Sequence, residues 1–251
     1  MEHGKYESLV LDSMHELRYF NQRLKNLSEQ ASKIVKPEKV DQNSPISLNT
    51  QISDQLRTVT EGILSLSQLF TTRLDFIEVE LNPNAIEQMD VDTINIYGKF
   101  DKARRMLNAL SREKRVKVCL EADRDVRRTF EAYTIIDILP YLILDNAVKY
   151  SPENMEVDIV FTYFDNATEV KVSSFGPTVE QSELDKLTLK HYRGENASLM
   201  KTCVGRGLGL YFVKYICDLH GIGLDIKSDE EKMRLDGIPH SSFNVTLSVP
   251  W

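Results

Sequence analysis

The sequence has few of the residues that mark secreted, zinc-bound or membrane-spanning proteins. Only three of its 251 residues are cysteines. Cys119, Cys203 and Cys217 form no close pair and lack metal-ligand spacing, which argues against a disulfide framework or a structural zinc. No apolar run approaches the roughly 20 residues that span a bilayer, and the polar start is unlike a signal peptide. We therefore expect no membrane span and a cytoplasmic location, either as a whole protein or as the cytoplasmic piece of a larger one.

Positive charge is not in excess either. The formal net charge is −7, which argues against a dedicated nucleic-acid binder, because phosphate contacts need a basic surface. The charge does not argue against binding a nucleotide, for which a few local groups suffice. A chain of 251 residues can hold one large domain or two small ones. Its hydrophobic content of 41% is ordinary for a folded soluble protein.

Two heptad seams occupy the N-terminal third of the chain. The first follows alternating three- and four-residue steps once Ser13 fills a missing position: Val10, Leu17, Phe20, Leu24, Leu27, Ala31, Ile34. Residues 35–50 hold two prolines and end that helix. The second seam is Ile52, Leu56, Val59, Ile63, Leu66, Phe70, Leu74, Ile77. The pattern predicts an N-terminal antiparallel helical hairpin, which pairs with a second copy as a dimeric four-helix bundle to bury both seams.

The remaining residues mix helical and strand periodicities. Leu81-Asn82-Pro83-Asn84 breaks the second helix. The predicted elements are helices at 95–112, 132–150 and 206–220, and strands at 115–121, 157–164, 169–174, 224–228 and 243–249. Strands and helices segregated in this way predict an α+β fold, an α/β sandwich with one sheet under a layer of helices. We predict two domains, residues 1–82 and 83–251.

One predicted helical face carries three polar groups. Asn146, Lys149 and Tyr150 stand at positions i, i+3 and i+4, so an amide, an ammonium and a phenol lie together. The amide oxygen can coordinate magnesium, the ammonium can neutralise phosphate, and the ring can cover a base or sugar. The alternative is an ordinary helix end, with Lys149 near the negative pole of the dipole and Ser151-Pro152 as the stop.

A glycine-rich segment opens the last predicted helix. Gly205, Gly207, Gly209 and Leu210 precede or begin a strongly apolar helix. Glycines there let backbone N–H groups approach phosphate oxygens, and the helix N-terminus favours negative charge. Close packing or a flexible turn explains such glycines equally well.

A histidine lies on the outside of the first helix. With Val10 and Leu17 at core-facing positions, His15 falls at heptad position f and Glu16 at g. The imidazole therefore points outward, and the adjacent carboxylate can hold its tautomer and accept its proton. An exposed surface histidine without a function is the alternative.

These segments, in this order, resemble the histidine kinase family. Residues 142–151 resemble its asparagine box, NxxxNAxKYS, and residues 205–221 resemble its second glycine box. Residues 187–194 (LTLKHYRG) are similar to its phenylalanine-containing box, residues 173–179 (SSFGPTV) to its first glycine box, and His15-Glu16-Leu17-Arg18 to its phosphoacceptor box. Several family positions are changed. Leu142 replaces the first asparagine, Ser174 the aspartate that reads the adenine amino group, Thr178 a glycine, and His191 a phenylalanine. After Arg18, Tyr19-Phe20-Asn21 replaces the Thr-Pro-Leu of the phosphoacceptor box.

The resemblance implies a GHKL-type ATP-binding catalytic domain behind a phosphoacceptor hairpin. Asn146 would bind Mg2+, and His15 would accept the γ-phosphoryl group with Glu16 as base. The residues expected to line the ATP site and its lid are Asn146, Lys149, Tyr150, Ser174, Gly176, Arg193, Gly205, Gly207, Gly209 and Leu210. A solvated surface role for Arg193 and a tight strand-to-helix turn at Gly176-Pro177 are the alternatives.

The leading hypothesis is a homodimeric, ATP-dependent protein-histidine kinase of a two-component system. Its phosphoryl group would pass to an aspartate on a response-regulator receiver domain, a separate chain. One rival is a degenerate kinase that acts as a nucleotide-binding or purely regulatory module, which Leu142, Ser174 and Thr178 favour. Another is an ATPase of the same superfamily, like the gyrase and mismatch-repair relatives. Such an ATPase needs a catalytic glutamate in the asparagine-box helix, where this chain has Asp145.

Overall fold

The computed structural model describes most of the C-terminal two thirds of the chain and scattered helical positions before it. The described residues are 21, 24–29, 31, 52–53, 55–56, 59–60, 62–63, 67, 70, 74, 77–79, 81–123, 128–200 and 207–251. The chain divides into two compact units, Met1–Gln88 and Met89–Trp251. Among the described residues, no helix has both the length and the apolar character needed to cross a bilayer.

In the first unit, the described residues up to 81 are helical, and a 3-10 helix follows at Pro83–Gln88. A Cβ placed on Gly62 would lie 3.3 Å from Leu27 Cδ1, so positions from the two predicted helices come close together. Val59 and Val79, both 8% exposed or less, are buried in this unit. The hairpin and its dimer remain predictions. His15 and Glu16 lie outside the described residues.

The second unit contains eight described strands and five described helices. The strands are β1 (Val91–Ile94), β2 (Lys117–Ala122), β3 (Phe130–Tyr133), β4 (Glu156–Tyr163), β5 (Ala167–Pro177), β6 (Gly223–Ser228), β7 (Met233–Leu235) and β8 (Ile238–Pro250). The helices are α1 (Ile96–Met106), α2 (Asn108–Glu113), α3 (Leu139–Tyr150), α4 (Glu195–Leu199) and α5 (Gly209–Leu219). Two 3-10 helices, Thr134–Ile138 and Gln181–Lys186, precede α3 and α4.

The main sheet has the strand order β2-β4-β5-β8-β6, with β7 beside the start of β8. Only the β2–β4 pairing is parallel among the described strands; β1 and β3 form a separate antiparallel pair. Side chains alternate along β4: Val157, Ile159 and Phe161 are fully buried, whereas Glu156 and Asp158 are exposed. This alternation is expected of a sheet that is covered on one face only.

Helices α1, α3 and α5 cover the apolar face of this sheet. Phe100 of α1 meets Phe161 of β4 edge-on, with ring centroids 5.6 Å apart. Helix α3 packs against α1, α5 and β5, and its Leu139, Leu144 and Val148 are fully buried. The core is therefore one layer between the helices and the sheet, and α3 lies at its centre.

The predicted α+β sandwich is confirmed for the second unit, and several of its boundaries differ. The predicted helix at 132–150 was wrong at its start, because β3 pairs with β1 and a 3-10 turn separates it from α3. Pro140 has no N–H and is tolerated only in the first turn of a helix, so α3 begins beside it. The predicted helix at 95–112 is broken at Leu107, which is fully buried.

A neutral histidine joins α5 to β3. His220 Nδ1 lies 2.8 Å from the Ile216 carbonyl oxygen, and the Tyr133 N–H donates to Nε2 over 3.1 Å. A carbonyl on one side and an N–H on the other leave the neutral, Nδ1-protonated ring as the only form that satisfies both contacts. Burial lowers the pKa of His220, and the hydrogen bond to Ile216 opposes that change only in part.

We predict that stability falls on acidification through this group. The unfolded histidine has a pKa near 6.5, above the folded value, so unfolding takes up a proton as the pH drops below about 6.5. The free energy of unfolding should then decline by up to about 1.4 kcal/mol per pH unit in that window. Urea unfolding at pH 7.5 and 5.5, for wild type and His220→Gln, measures it. Equal pH dependence in the two proteins would contradict the assignment.

Candidate nucleotide site

Helix α3 presents Asn146, Lys149 and Tyr150 on a half-buried face. The opposite face is apolar and packs into the core, which fixes the rotation of the helix about its axis. The helix ends where Ser151 adopts an extended conformation, and the Ser151 hydroxyl donates to the Ala147 carbonyl over 2.7 Å. The i, i+3, i+4 spacing therefore places the three polar groups together at the last turns of a firmly held helix.

A lysine from outside the predicted site caps this helix. Lys114, in the turn after α2, directs its ammonium to three carbonyl oxygens at the C-terminus of α3: those of Val148, Lys149 and Ser151. These carbonyls belong to the negative pole of the helix and have no partner within it. A half-buried cation that satisfies three of them holds the end of α3 in place.

The N-terminus of α5 lies against Asn146. A Cβ added to Gly209, the first residue of α5, would lie 2.9 Å from Asn146 Nδ2 and 3.4 Å from Oδ1. Any side chain at position 209 would push the amide away. Glycine at this position therefore brings the positive pole of α5 and an amide oxygen to the same place.

A second glycine, Gly207, lies just before α5 and packs against the backbone of residues 191–192. Gly207 has φ +68°, and a Cβ there would lie 2.2 Å from the Tyr192 carbonyl oxygen. The His191 N–H donates to the Gly207 carbonyl over 3.0 Å. His191 itself has φ +67°, a conformation that few non-glycine residues adopt. The backbone at 191–192 and at 207 is thus interlocked, and only glycine fits at 207.

The end of β5 lies beside the end of α3. A Cβ on Gly176 would lie 3.5 Å from the Tyr150 carbonyl oxygen and 3.6 Å from Tyr150 Cβ. Ser174 is two residues earlier on the same, helix-covered face of the strand, and its hydroxyl is 3.4 Å from the Phe243 carbonyl oxygen. Ser174, Gly176 and Tyr150 therefore form one wall of the site.

Basic side chains lie in the 187–200 segment and at the end of α3. Lys190 Nζ is 5.6 Å from the centroid of the Tyr211 ring in the first turn of α5. Arg193 donates from one guanidinium nitrogen to the Ala197 carbonyl over 2.8 Å. On α3, Lys149 Nζ is 5.4 Å from the centroid of its neighbour Tyr150.

The structure brings most of the sequence-predicted residues together. Asn146 meets Gly209, Tyr150 meets Gly176, and Leu210 follows in α5. Arg193 is tied to α4 by its bond to Ala197. Gly205, like His15 and Glu16, lies outside the described residues. Sequence reasoning missed Lys114 and the buried Glu183. No periodic pattern marks a lysine that reaches a distant helix, and Glu183 sits in a polar stretch with no apolar repeat.

This arrangement is suited to a polyphosphate. The N-terminus of α5 lies against the Asn146 amide, and Lys149 follows on the same half-buried face of α3. Each of these groups favours an anion or its counter-cation. The buried Cys217 on α5 adds no reactivity, because burial raises the pKa of its thiol to about 12.

Comparison with known proteins agrees with this geometry. Residues 141–250, which run from α3 through β8, match the family of histidine kinase-, DNA gyrase B- and HSP90-like ATPases. The sensor protein QseC of Escherichia coli (strain K12) is 33% identical over 119 residues, which are 44% of this chain and 25% of QseC. The C-terminal part of this chain is therefore similar to sensor histidine kinases. The sensor histidine kinase HprS of the same strain is 25% identical over 178 residues, 70% of this chain and 37% of HprS.

A solved structure shows the same fold. The catalytic domain of the histidine kinase ThkA matches 64% of this chain and 98% of its own length, with a TM-score of 0.52 and 19% identity. The chain spans between a quarter and two fifths of the length of QseC and HprS, 25% and 37%. The histidine kinase relationship therefore concerns the catalytic domain above all.

We predict that Gly207→Ala disrupts the base of the site. The left-handed backbone alone costs about 1 to 2 kcal/mol for a residue with a Cβ, and the clash with Tyr192 adds to it. Urea unfolding should show a loss of at least about 2 kcal/mol. Gly98→Ala, in α1, is the control, because its Cβ would meet only ordinary contacts and should be neutral or stabilising. Equal effects of the two changes would contradict the interlock.

We predict a second, separate loss for Lys114→Met. Removing the ammonium leaves the three carbonyls of Val148, Lys149 and Ser151 without this donor, which should cost about 1 to 3 kcal/mol of unfolding free energy. Lys117→Met is the control, since Lys117 is 69% exposed and pairs across the surface with Glu156. Chemical denaturation of both variants measures the difference, and a Lys114→Met protein as stable as Lys117→Met would rule out the cap.

Proposed function

We propose that this chain is the kinase core of a two-component system. In this proposal it is an ATP-dependent protein-histidine kinase that phosphorylates His15 of its own homodimer. The phosphoryl group then passes to an aspartate on the receiver domain of a response regulator. The observation that supports the proposal best is the contact between Gly209 and Asn146, which joins a helix N-terminus to an amide oxygen.

The triphosphate of ATP would lie at the start of α5. The backbone N–H groups at the positive pole of that helix and the Lys149 ammonium both attract phosphate oxygens. Gly205, Gly207, Gly209 and Leu210 would let the backbone come close enough to bond them. Arg193 would join them once its bond to the Ala197 carbonyl is exchanged.

Magnesium fits the same place. Mg2+ is usually held by one or two protein oxygens together with substrate phosphates and water. Asn146 Oδ1 is such an oxygen, half-buried beside Gly209. Leu142, one turn earlier on α3, offers none, so Asn146 would hold the ion without a second asparagine. When bound, the ion would neutralise phosphate charge.

The base and sugar would lie against β5 and the end of α3. Tyr150 offers a ring face, and Gly176 leaves room beside it. Ser174 offers a neutral hydroxyl where a carboxylate would attract the exocyclic amino group of adenine more strongly. Base selectivity in this protein should therefore depend on shape and stacking more than on charge.

The chemical step would occur at His15. An imidazole nitrogen forms a bond to the γ-phosphorus while the bond between that phosphorus and the β,γ-bridging oxygen breaks. ADP leaves, and Glu16 accepts the proton that the imidazole releases. Such a transfer depends mainly on positioning and on neutralising charge, which are the tasks assigned to Lys149, Asn146 and α5.

A regulatory module that binds nucleotide without turnover is the second candidate. Ser174 favours it, because its hydroxyl lies 3.4 Å from the Phe243 carbonyl and supplies no negative charge to the base. The cytoplasmic location and the dimeric hairpin are proposed for both candidates, whereas the receiver-domain partner is proposed for the kinase.

We predict that magnesium and γ-labelled ATP give an acid-labile, alkali-stable label on the wild-type chain. His15→Gln should abolish the label, and Asn146→Ala should reduce it by at least about ten-fold, because phosphate charge is then poorly neutralised. The measurement is label retained per chain after acid and after alkali treatment.

Two matched substitutions serve as controls. His3→Gln changes another histidine near the N-terminus, and Asn244→Ala removes an amide that bonds Ser173 on the other face of the sheet. Both should keep the label. Nucleotide binding without any label would favour the regulatory module over the kinase, and label that survives His15→Gln would contradict the choice of phosphoacceptor.

A further inference from the structure

Glu183 is an acid buried outside the residues assigned above. It lies in the 3-10 helix Gln181–Lys186, between β5 and α4, and is 4% exposed. A carboxylate is rarely buried to this degree unless hydrogen bonds compensate for the lost water. Its contacts therefore indicate what it holds in place.

The Glu183 carboxylate gathers three donors. The Tyr192 hydroxyl donates to Oε1 over 2.7 Å, and the Glu195 N–H donates to the same oxygen over 2.9 Å. The Glu180 N–H lies 3.4 Å from Oε2. One carboxylate oxygen thus joins the phenol of Tyr192 to the first residue of α4.

The charge state strengthens this link. Burial raises the pKa of Glu183, but the hydrogen bonds from Tyr192, Glu195 and Glu180 outweigh it and leave the pKa below its usual value. The same bond to Glu183 raises the pKa of Tyr192 to about 12. At neutral pH the pair is a carboxylate and a phenol, joined by a charge-assisted hydrogen bond.

Tyr192 connects Glu183 to the start of α5. Its side chain is held by Glu183, and its carbonyl oxygen is the atom that a Cβ on Gly207 would strike at 2.2 Å. The preceding N–H, that of His191, donates to the Gly207 carbonyl. Gly207 is two residues before Gly209, which lies against Asn146. A continuous series of contacts and bonded residues therefore links the Glu183 carboxylate, through Tyr192 and Gly207, to the Asn146 side chain.

We infer that Glu183 is a positioning residue of the nucleotide site, acting through Tyr192 to set the backbone that begins α5. Its hydrogen bonds described above all fall within residues 180–195 and involve neither Asn146 nor Gly209. This inference rests on the proposed function, since it assigns a task within the same nucleotide site.

The test compares Glu183→Gln, Tyr192→Phe and the double variant in the full chain. The probe is trinitrophenyl-ATP with magnesium, titrated at a temperature well below the melting point of each variant. Each single change should weaken binding by at least about five-fold, because a hydrogen bond to a charged group is lost. The double variant should bind the probe no more weakly than the single variant with the lower affinity. The reason is that both single changes break the same hydrogen bond between Glu183 and Tyr192.

Hydrogen exchange of the unliganded proteins provides a second readout. The amides of 207–211 should exchange faster in both single variants, whereas those of β4 and β5 should not change. Glu153→Gln is the matched control, because Glu153 is 63% exposed and pairs with Arg115 at the surface. It should leave both binding and exchange as in the wild type.

The outcomes separate this inference from the proposed function. If the wild type binds the probe and Glu183→Gln binds it with an affinity within two-fold of the wild type, the inference is overturned. The proposed nucleotide site would remain. A lower melting point without faster exchange at 207–211 would also overturn the inference, since Glu183 would then be only structural. If the wild type binds no probe, the proposed function fails, and the exchange comparison still decides whether Glu183 positions α5. Tyr192→Phe keeps the test valid if Glu183→Gln does not fold.

Discussion

The close approach of α5 to the Asn146 side chain is the contact on which the site depends. It exists because residue 209 has no Cβ, which would otherwise lie 2.9 Å from the amide nitrogen. Two features that are weak alone become specific in this contact. A helix N-terminus attracts any anion, and an amide oxygen accepts many partners, but side by side they suit a phosphate with its counter-cation. Lys149, one turn further along α3, adds a positive charge on the same face.

The surrounding structure keeps both sides of this contact in place. On one side, the apolar face of α3 is buried between α1, α5 and β5, and Lys114 caps its carbonyl end. On the other side, the interlock of Gly207 with the 191–192 backbone sets the approach to α5. The sheet supplies the wall at Gly176, and its other face is polar and turned away from the helices.

The sequence predicts which side chains form the nucleotide site, but not which of them come into contact in the fold. The spacing of Asn146, Lys149 and Tyr150 is a property of one helix, and alternation along β4 is a property of one strand, so both could be inferred locally. The strands β1 and β3 are four residues each and show no clear alternation, so the start of α3 was misplaced. Lys114 bonds the carbonyl end of α3, more than 30 residues away along the chain. Glu183 bonds Tyr192 and the start of α4, in a segment without a regular apolar repeat. Their roles arise from packing, which no local period reveals.

Hydrogen exchange of the full chain, with and without saturating ATP and magnesium, tests the central claim most directly. The account predicts slower exchange at residues 146–151, 174–178 and 207–212, and no change in β2 at 117–122. Protection at 207–212 should disappear in Gly209→Ala, because a methyl group there displaces Asn146. A ligand that leaves 207–212 unprotected in the wild type, or protects only residues away from α3 and α5, would contradict the account.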